Sequence, residues 1–240
     1  ALGLGTAVKA GTSPVRLVGG YAFSAGRPWA RISADRFLGV NHRIRVTGHW
    51  NQLRDMGPVP GASRVVNTLG SLGGQDYLDP FWVRGGQITW RHRAGQRERE
   101  FSVSARVEDH RSAALNADDA NTAFRPVRPI REGTLSAVTA SLHLPEPAFG
   151  PFGGVELTAG TLSGGFTRAL ATLGWARGGP ERRVDLTARL RGGWTSSGTP
   201  AQGLFLMGGR ETLPGFPYRG AVGDRFVLAD LRLGGEVWSP

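Results

Sequence analysis

The chain has no cysteine, which excludes disulfides and thiolate metal sites and leaves the cellular compartment open. No run approaches the roughly 18 apolar residues of a membrane-spanning helix, and no stretch reads as a long amphipathic helix. That absence does not bear on barrels. Their strands cross a bilayer with about 9 to 11 residues, every second one apolar, so a barrel wall has near-average composition. Also missing are a GxSxG elbow, a Walker loop, an HExxH pair and a dinucleotide fingerprint. The five histidines, His42, His49, His92, His110 and His143, lie on separate segments. Glu108, Asp109 and His110 adjoin, as do Asp118 and Asp119, but strand neighbours point to opposite faces and acidic loop pairs are usually solvated. No catalytic residue, metal site or cofactor is expected, and the chain is read as a non-enzyme.

What is present is turn-formers and charge. The 37 Gly and 15 Pro of the 240 residues recur between alternating apolar and polar segments, as turns punctuate a many-stranded sheet. The 29 Lys+Arg against 19 Asp+Glu give a net charge of +10, which first suggests a polyanionic partner. Its placement argues otherwise: Arg43 and Arg45, Arg91 and Arg93, Arg189 and Arg191 occupy alternate positions opposite apolar ones. The charge is thus spread over one sheet face, no nucleic-acid-binding motif accompanies it, and no nucleic-acid partner is expected.

The clearest strand is REFSVSARVEDH, where Phe101, Val103, Ala105 and Val107 alternate with Ser102, Ser104, Arg106 and Glu108. RVDLTARLRGGW and RIRVTGHW behave alike, as does the strand in which Val227, Ala229, Leu231 and Leu233 oppose Asp230, Arg232 and Glu236. Period-two alternation predicts strands near 15–24, 29–38, 43–53, 62–71, 81–93, 98–109, 133–144, 153–162, 166–177, 182–195, 203–208 and 224–238. If twelve strands run up and down, Trp29, Trp50, Trp90 and Trp175 fall near one rim and Trp82, Trp194 and Trp238 near the other, as two aromatic girdles. An apolar face rich in Ala, Gly, Leu, Val and Trp opposite a face carrying Arg, Asp and Glu fits a lipid-facing exterior around a polar lumen. A soluble β-sandwich or carbohydrate-binding domain shares the period and would stay monodisperse without detergent.

The stretch FLMGGRETLPGFPYRGAVGDRFVLADLRL, with its double glycine at 208–209, a TLPGF element from Thr212 to Phe216, Gly223-Asp224 and a long strand ending in DLRL, resembles the bacterial surface-antigen family. These are outer-membrane assembly-factor barrels, including BamA-like insertases, TamA-like proteins and two-partner secretion transporters. The resemblance implies an all-β, up-and-down transmembrane barrel with about twelve of some sixteen strands present and a loop after the eleventh strand folded into the lumen. Residues 1–240 would form a single partial barrel domain, with a periplasmic N-terminal domain and the last strands outside it. The chain begins at Ala1 without Met and is read as mature or a fragment.

The resemblance further implies that Gly208, Gly209 and Gly215 turn the chain inward, that Phe216 anchors the loop, and that Leu213 belongs to the same element. Where the family has Arg before the Gly-Phe/Tyr pair, this chain has Pro214; Arg210 or Arg219 is the candidate substitute, and the usual acidic partner would fall beyond residue 240. Asp230, Arg232 and Glu236 face the expected lumen. Strand parity puts 110–131 on the periplasmic side. The implied activity is insertion or translocation of proteins at the bacterial outer membrane. The implied partners are the lipid bilayer, unfolded or secreted β-rich clients and the chain's own periplasmic domains. A passive pore, and a barrel anchoring a periplasmic patatin-like lipase, are the competing functions.

Overall fold

Alternation along the sequence becomes one continuous antiparallel sheet. In the computed structural model, which describes residues 2–10, 13–22, 26–59, 78–95, 99–113, 127–178, 184–209 and 212–235, ten strands follow one another. They are β1 (Leu2–Ala10), β2 (Ser13–Ala22), β3 (Arg27–Leu38), β4 (His42–Asp55), β5 (Pro80–Ala94), β6 (Arg99–Ser112), β7 (Gly133–Leu144), β8 (Phe149–Thr161), β9 (Gly165–Arg177) and β10 (Val184–Thr195). Each pairs antiparallel with its predecessor, and β13 (Arg225–Gly235) pairs with β10, giving an eleven-stranded up-and-down sheet. Two three-residue strands, β11 (Phe205–Met207) and β12 (Ala221–Gly223), form a separate ribbon inside the β10–β13 connection. Among the described residues β1 and β13 each pair on one side only, so the wall is open between them.

Three strand expectations change. Leu2–Ala10 is a wall strand that the sequence pattern did not reveal. The strand expected at 62–71 lies outside the described residues, and β4 pairs directly with β5 from His42↔His92 to Asp55↔Pro80, leaving no place in the wall between them. The strand expected at 203–208 shrinks to β11, which is in the ribbon. Among the described residues ten wall strands precede the loop, where the sequence count gave eleven.

Removing one strand from the count reverses every later rim assignment. The pairing Ala30↔Trp50 sets Trp29 and Trp50 on one rim, and Leu53↔Trp82 adds Trp82 to it; the end of β10 brings Trp194 there as well. Trp90 and Trp175 lie toward the opposite rim, and Trp238 is outside the described residues. Trp82 is not a girdle residue: it is 5% exposed, packed with Ala22 and Ala113. The long connections 56–79, 113–132 and 196–224 all leave from the Trp50 rim, while the turns at 39–41, 95–98 and 145–148 on the other rim are short. The segment around 110–131 thus shares a rim with the inward loop, and the long turn expected on the opposite side disappears.

The two faces of the wall invert the burial order of a water-soluble protein. On β6, Val107 is 57% exposed while Glu108 is fully buried; on β3, Ile32 is 52% exposed and Asp35 8%. The outward Val46, Ile88, Val138, Leu157, Leu173 and Leu190 continue the exposed apolar band. The inward charges pair across strands: Asp35 with Arg43 and Arg45 at 2.6 and 2.8 Å, Glu100 with Arg91 and Arg93 at 3.1 Å, Glu156 with Arg168 at 3.1 Å. Hydroxyls bridge the rows between them, Ser102 to Ser141 at 2.8 Å and Thr139 to Thr158 at 3.0 Å. A bulge between His49 and Gln52, with Asn51 at φ +47°, shifts the parity of β4 so that Arg54 also points inward. There it donates to both oxygens of Glu108, at 2.6 and 2.8 Å.

Candidate functional site

The connection between β10 and β13 turns back across the concave side of the sheet and closes on itself at the wall, where the Thr195 amide donates to the Asp224 carbonyl at 2.8 Å. Its apolar residues explain the direction. Leu206 packs with Met56, Phe81 and Val83, and Phe205 and Met207 pack with Val59, Leu213 and Phe226. Phe205 meets Phe226 edge to face with centroids 4.9 Å apart, in space left free by the missing side chain of Gly193. Burying such side chains contributes about 1.5–3 kcal/mol each, so the ribbon forms a small apolar core on the concave side.

After β11 the chain reverses. Gly208 and Gly209 have φ of +119° and +89°, and a Cβ on Gly208 would run into the Pro217 carbonyl and come within 3.0 Å of the Arg219 amide. The Gly208 amide donates to Thr212 Oγ1 at 2.8 Å, and the Arg219 amide donates back to the Gly208 carbonyl at 3.3 Å. The tip itself is solvated: Pro214 and Gly215 are exposed and Phe216 is 66% exposed. Phe216 is therefore not the anchor that the resemblance implied. Leu213 is half-buried against Phe205 and Met207.

The anchor is Arg219, 1% exposed. Its Nη1 donates to Asp55 Oδ1 at 2.7 Å and to Asp79 Oδ2 at 3.0 Å. Nη2 donates to the other Asp55 oxygen and, at 3.1 Å, to the Met56 carbonyl. The receptor is itself organised: the Asp79 amide donates to Asp55 Oδ1 at 2.8 Å, and the Met56 amide to the Asp79 carbonyl at 3.0 Å. Arg128 completes the cluster, donating from Nη2 to the Arg219 carbonyl at 2.6 Å and lying 3.7 Å from Asp79. Two guanidiniums thus face two carboxylates, and the group is neutral as a whole, which is what makes burial of Arg219 and Asp79 at its centre tolerable. Burial opposes the Arg219 charge, but the hydrogen bonds and attraction of Asp55 outweigh it and raise the guanidinium above its ordinary value.

A second tie lies beside it. Gln202 Nε2 donates to His110 Nδ1 at 3.1 Å and to the Arg131 carbonyl at 2.8 Å, while Gln202 Oε1 accepts from the Arg131 amide at 3.0 Å. The Gln202 carbonyl accepts from Gly57 at 3.1 Å. His110 Nε2 lies 3.5 Å from Glu108 Oε2, so Glu108 and His110 share the inner face while Asp109 pairs with Arg111 on the other. A loop that leaves the wall at β10 is consequently fixed to the ends of β4, β5 and β6, and it ties together two sides of the curved sheet.

Of the residues singled out in the sequence, the structure brings Gly208, Gly209, Leu213 and Arg219 into this assembly. Gly215, at the exposed tip, has a left-handed backbone at φ +88°. Arg210 and Glu236 lie outside the described residues. Asp230 pairs with Arg191 and Arg232, each at 3.5 Å, and the β13 residue that meets the loop is Phe226. The acidic partners of Arg219 are Asp55 and Asp79. Sequence reasoning missed them along with Arg128 and Gln202. The one available signal was that Asp55 and Asp79 bracket a Gly- and Pro-containing connection at the ends of two strong strands.

No protein-family model matches the chain, and no curated protein matches it in sequence. Among solved structures it is similar to OmpT (in-vitro folded), an outer membrane protein of Vibrio cholerae, at 10% identity over 96% of this chain and 61% of that one, with a TM-score of 0.47. It is similar also to the loop L8 deletion mutant of the same protein, at 11% identity over 82% and 59% of the two chains, TM-score 0.46. The chain spans about six-tenths of the length of these structures.

Proposed function

We propose that the chain supplies most of the wall of a bacterial outer-membrane β-barrel of the surface-antigen and assembly-factor type, whose latched inner loop serves the insertion or translocation of other proteins. The inverted burial carries the membrane part of this reading. Leaving a Leu, Ile or Val side chain in water forfeits about 1.5–3 kcal/mol relative to an apolar surrounding. A continuous band of them around a charged interior is stable only where the surrounding medium is hydrocarbon. Long connections on one rim and short turns on the other match an extracellular and a periplasmic side. The loop then enters from the extracellular side.

Support for an assembly role comes from the latch, a loop held across the concave side by a buried arginine at the place where the assembly-factor type carries its inward loop. Periplasmic domains of the same protein would deliver β-rich clients to the barrel.

Reconstitution tests both parts. The chain is expected to require detergent or lipid and, unboiled, to migrate on electrophoresis as a folded barrel. In liposomes it should speed the insertion of an unfolded β-barrel client over empty liposomes. A monodisperse species in plain buffer would remove the membrane reading. A folded barrel that leaves client insertion unchanged would remove the assembly role alone.

A further inference from the structure

The latch does not use the charges at the Trp50 rim on the outward side of β5 and β6. There Arg27, Asn51, Trp82, Arg84, Asp109 and Arg111 line a cavity of about 180 Å³. Arg84 Nη2 donates to Asn51 Oδ1 at 2.9 Å, a neutral amide that satisfies one hydrogen but leaves the charge. Arg27 lies over the Trp82 ring, 5.8 Å from its centroid. Arg111 Nε donates to Asp109 at 2.7 Å. Three guanidiniums thus share one carboxylate, and among the described residues two positive charges in this pocket have no acidic partner.

The pocket is held in shape from below. Asn51 is fixed by the β4 bulge and donates from Nδ2 to the Pro28 carbonyl at 3.3 Å. Trp82, buried against Ala22 and Ala113, gives it a rigid apolar floor. Its depth in the membrane follows from the residue next to Asn51: Trp50 is 45% exposed, and tryptophan on a barrel exterior marks the level of the lipid headgroups. Planar guanidiniums recognise phosphate by paired, charge-assisted hydrogen bonds and keep their charge at any physiological pH.

We propose that this pocket binds a phosphate group, and that in the membrane the phosphate belongs to the headgroup of an outer-leaflet lipid. Phosphate recognition stands on the pocket's own residues; only its lipid source rests on the barrel reading. A bound headgroup would tie the lipid to the ends of β4, β5 and β6, the strands that receive the loop.

The test is titration calorimetry on the chain folded in zwitterionic detergent at low ionic strength, with lipid A in mixed micelles and inorganic pyrophosphate as the two probes. The comparison is among wild type, the double variant R84Q/R111Q and the control R225Q, an exposed arginine whose partner is Asp224. Electrophoretic migration of the unboiled chain reports independently whether each variant forms the barrel. Lipid A is expected to bind wild type and R225Q alike and R84Q/R111Q at least about tenfold more weakly, with pyrophosphate a poor competitor. Arginine-dependent binding of pyrophosphate alone, or in a chain without barrel migration, would retain the phosphate site and remove its lipid source. Equal affinity of wild type and R84Q/R111Q for both probes, in chains of equal migration, would overturn the proposal.

Discussion

Replacing Arg219 by alanine removes the guanidinium that bridges Asp55 and Asp79 and leaves the two carboxylates facing each other, with Arg128 3.7 Å from Asp79. Arg219 and Asp79 are 1% and 0% exposed at the side chain, whereas Asp55 is 28% exposed, so water relieves part of the unpaired charge. Breaking a buried ion pair by removing one partner costs about 3–5 kcal/mol; the exposure of Asp55 puts the expectation at the lower end, about 3 kcal/mol, or roughly a hundredfold in the folding equilibrium. Lysine at 219 keeps the charge but cannot span both aspartates and the Met56 carbonyl, and should lose about half as much. A cycle with Asp79→Asn and Arg219→Met should return a coupling of about 1–3 kcal/mol, since the two side chains are in direct contact at 3.0 Å in one buried network. The assay is urea unfolding of the lipid-reconstituted chain, with limited proteolysis of the loop as the local readout. A loss below about 0.5 kcal/mol for Arg219→Ala, the range of surface substitutions, with the loop still protected, would refute the latch.

Other consequences follow from the same geometry. Gly208→Ala forces an L side chain to φ +119° and drives a Cβ into the Pro217 carbonyl. It should cost at least about 1–3 kcal/mol and expose the loop to protease much as Arg219→Ala does. Gln202→Ala removes three side-chain hydrogen bonds to His110 and Arg131 and should lower stability by about 1–3 kcal/mol, measured by the same unfolding. In planar bilayers, wild type should conduct little and Arg219→Ala should show larger, fluctuating openings; equal conductance of the two would mean the loop does not occlude the lumen.

How much of this could be read from residues alone depended on how local each signal is. Period two and the sorting of charge to one face are properties of neighbouring residues, and β3, β4, β6, β9 and β10 follow them closely. The glycine-rich LGLGTAVKA of β1 has little contrast between its faces and passed unnoticed. Residues 203–208 alternate too, yet alternation cannot tell a wall strand from a ribbon. Counting a further strand between β4 and β5, which pair directly, reversed the later rims and set Trp175 and the 110–131 segment on the wrong side. The turn at Gly208-Gly209 was legible because left-handed backbone demands glycine. The partners of Arg219 were not, since Asp55 and Asp79 lie 164 and 140 residues away in sequence and only the curvature of the sheet brings them near.

The central claim is that the exposed apolar face meets lipid, and one substitution pair tests it. Val138 is 52% exposed in the middle of β7, paired with Ala105 and Ala159, whereas Val40 is 98% exposed in the turn between β3 and β4. Arginine on the lipid face at mid-membrane costs about 2–4 kcal/mol and near an interface about 0–1 kcal/mol. Folding free energies in lipid vesicles should therefore fall by about 2–4 kcal/mol for Val138→Arg and stay almost unchanged for Val40→Arg. If both variants fold as well as wild type and Val138→Arg only gains solubility, the outer face meets water, and the barrel account is wrong.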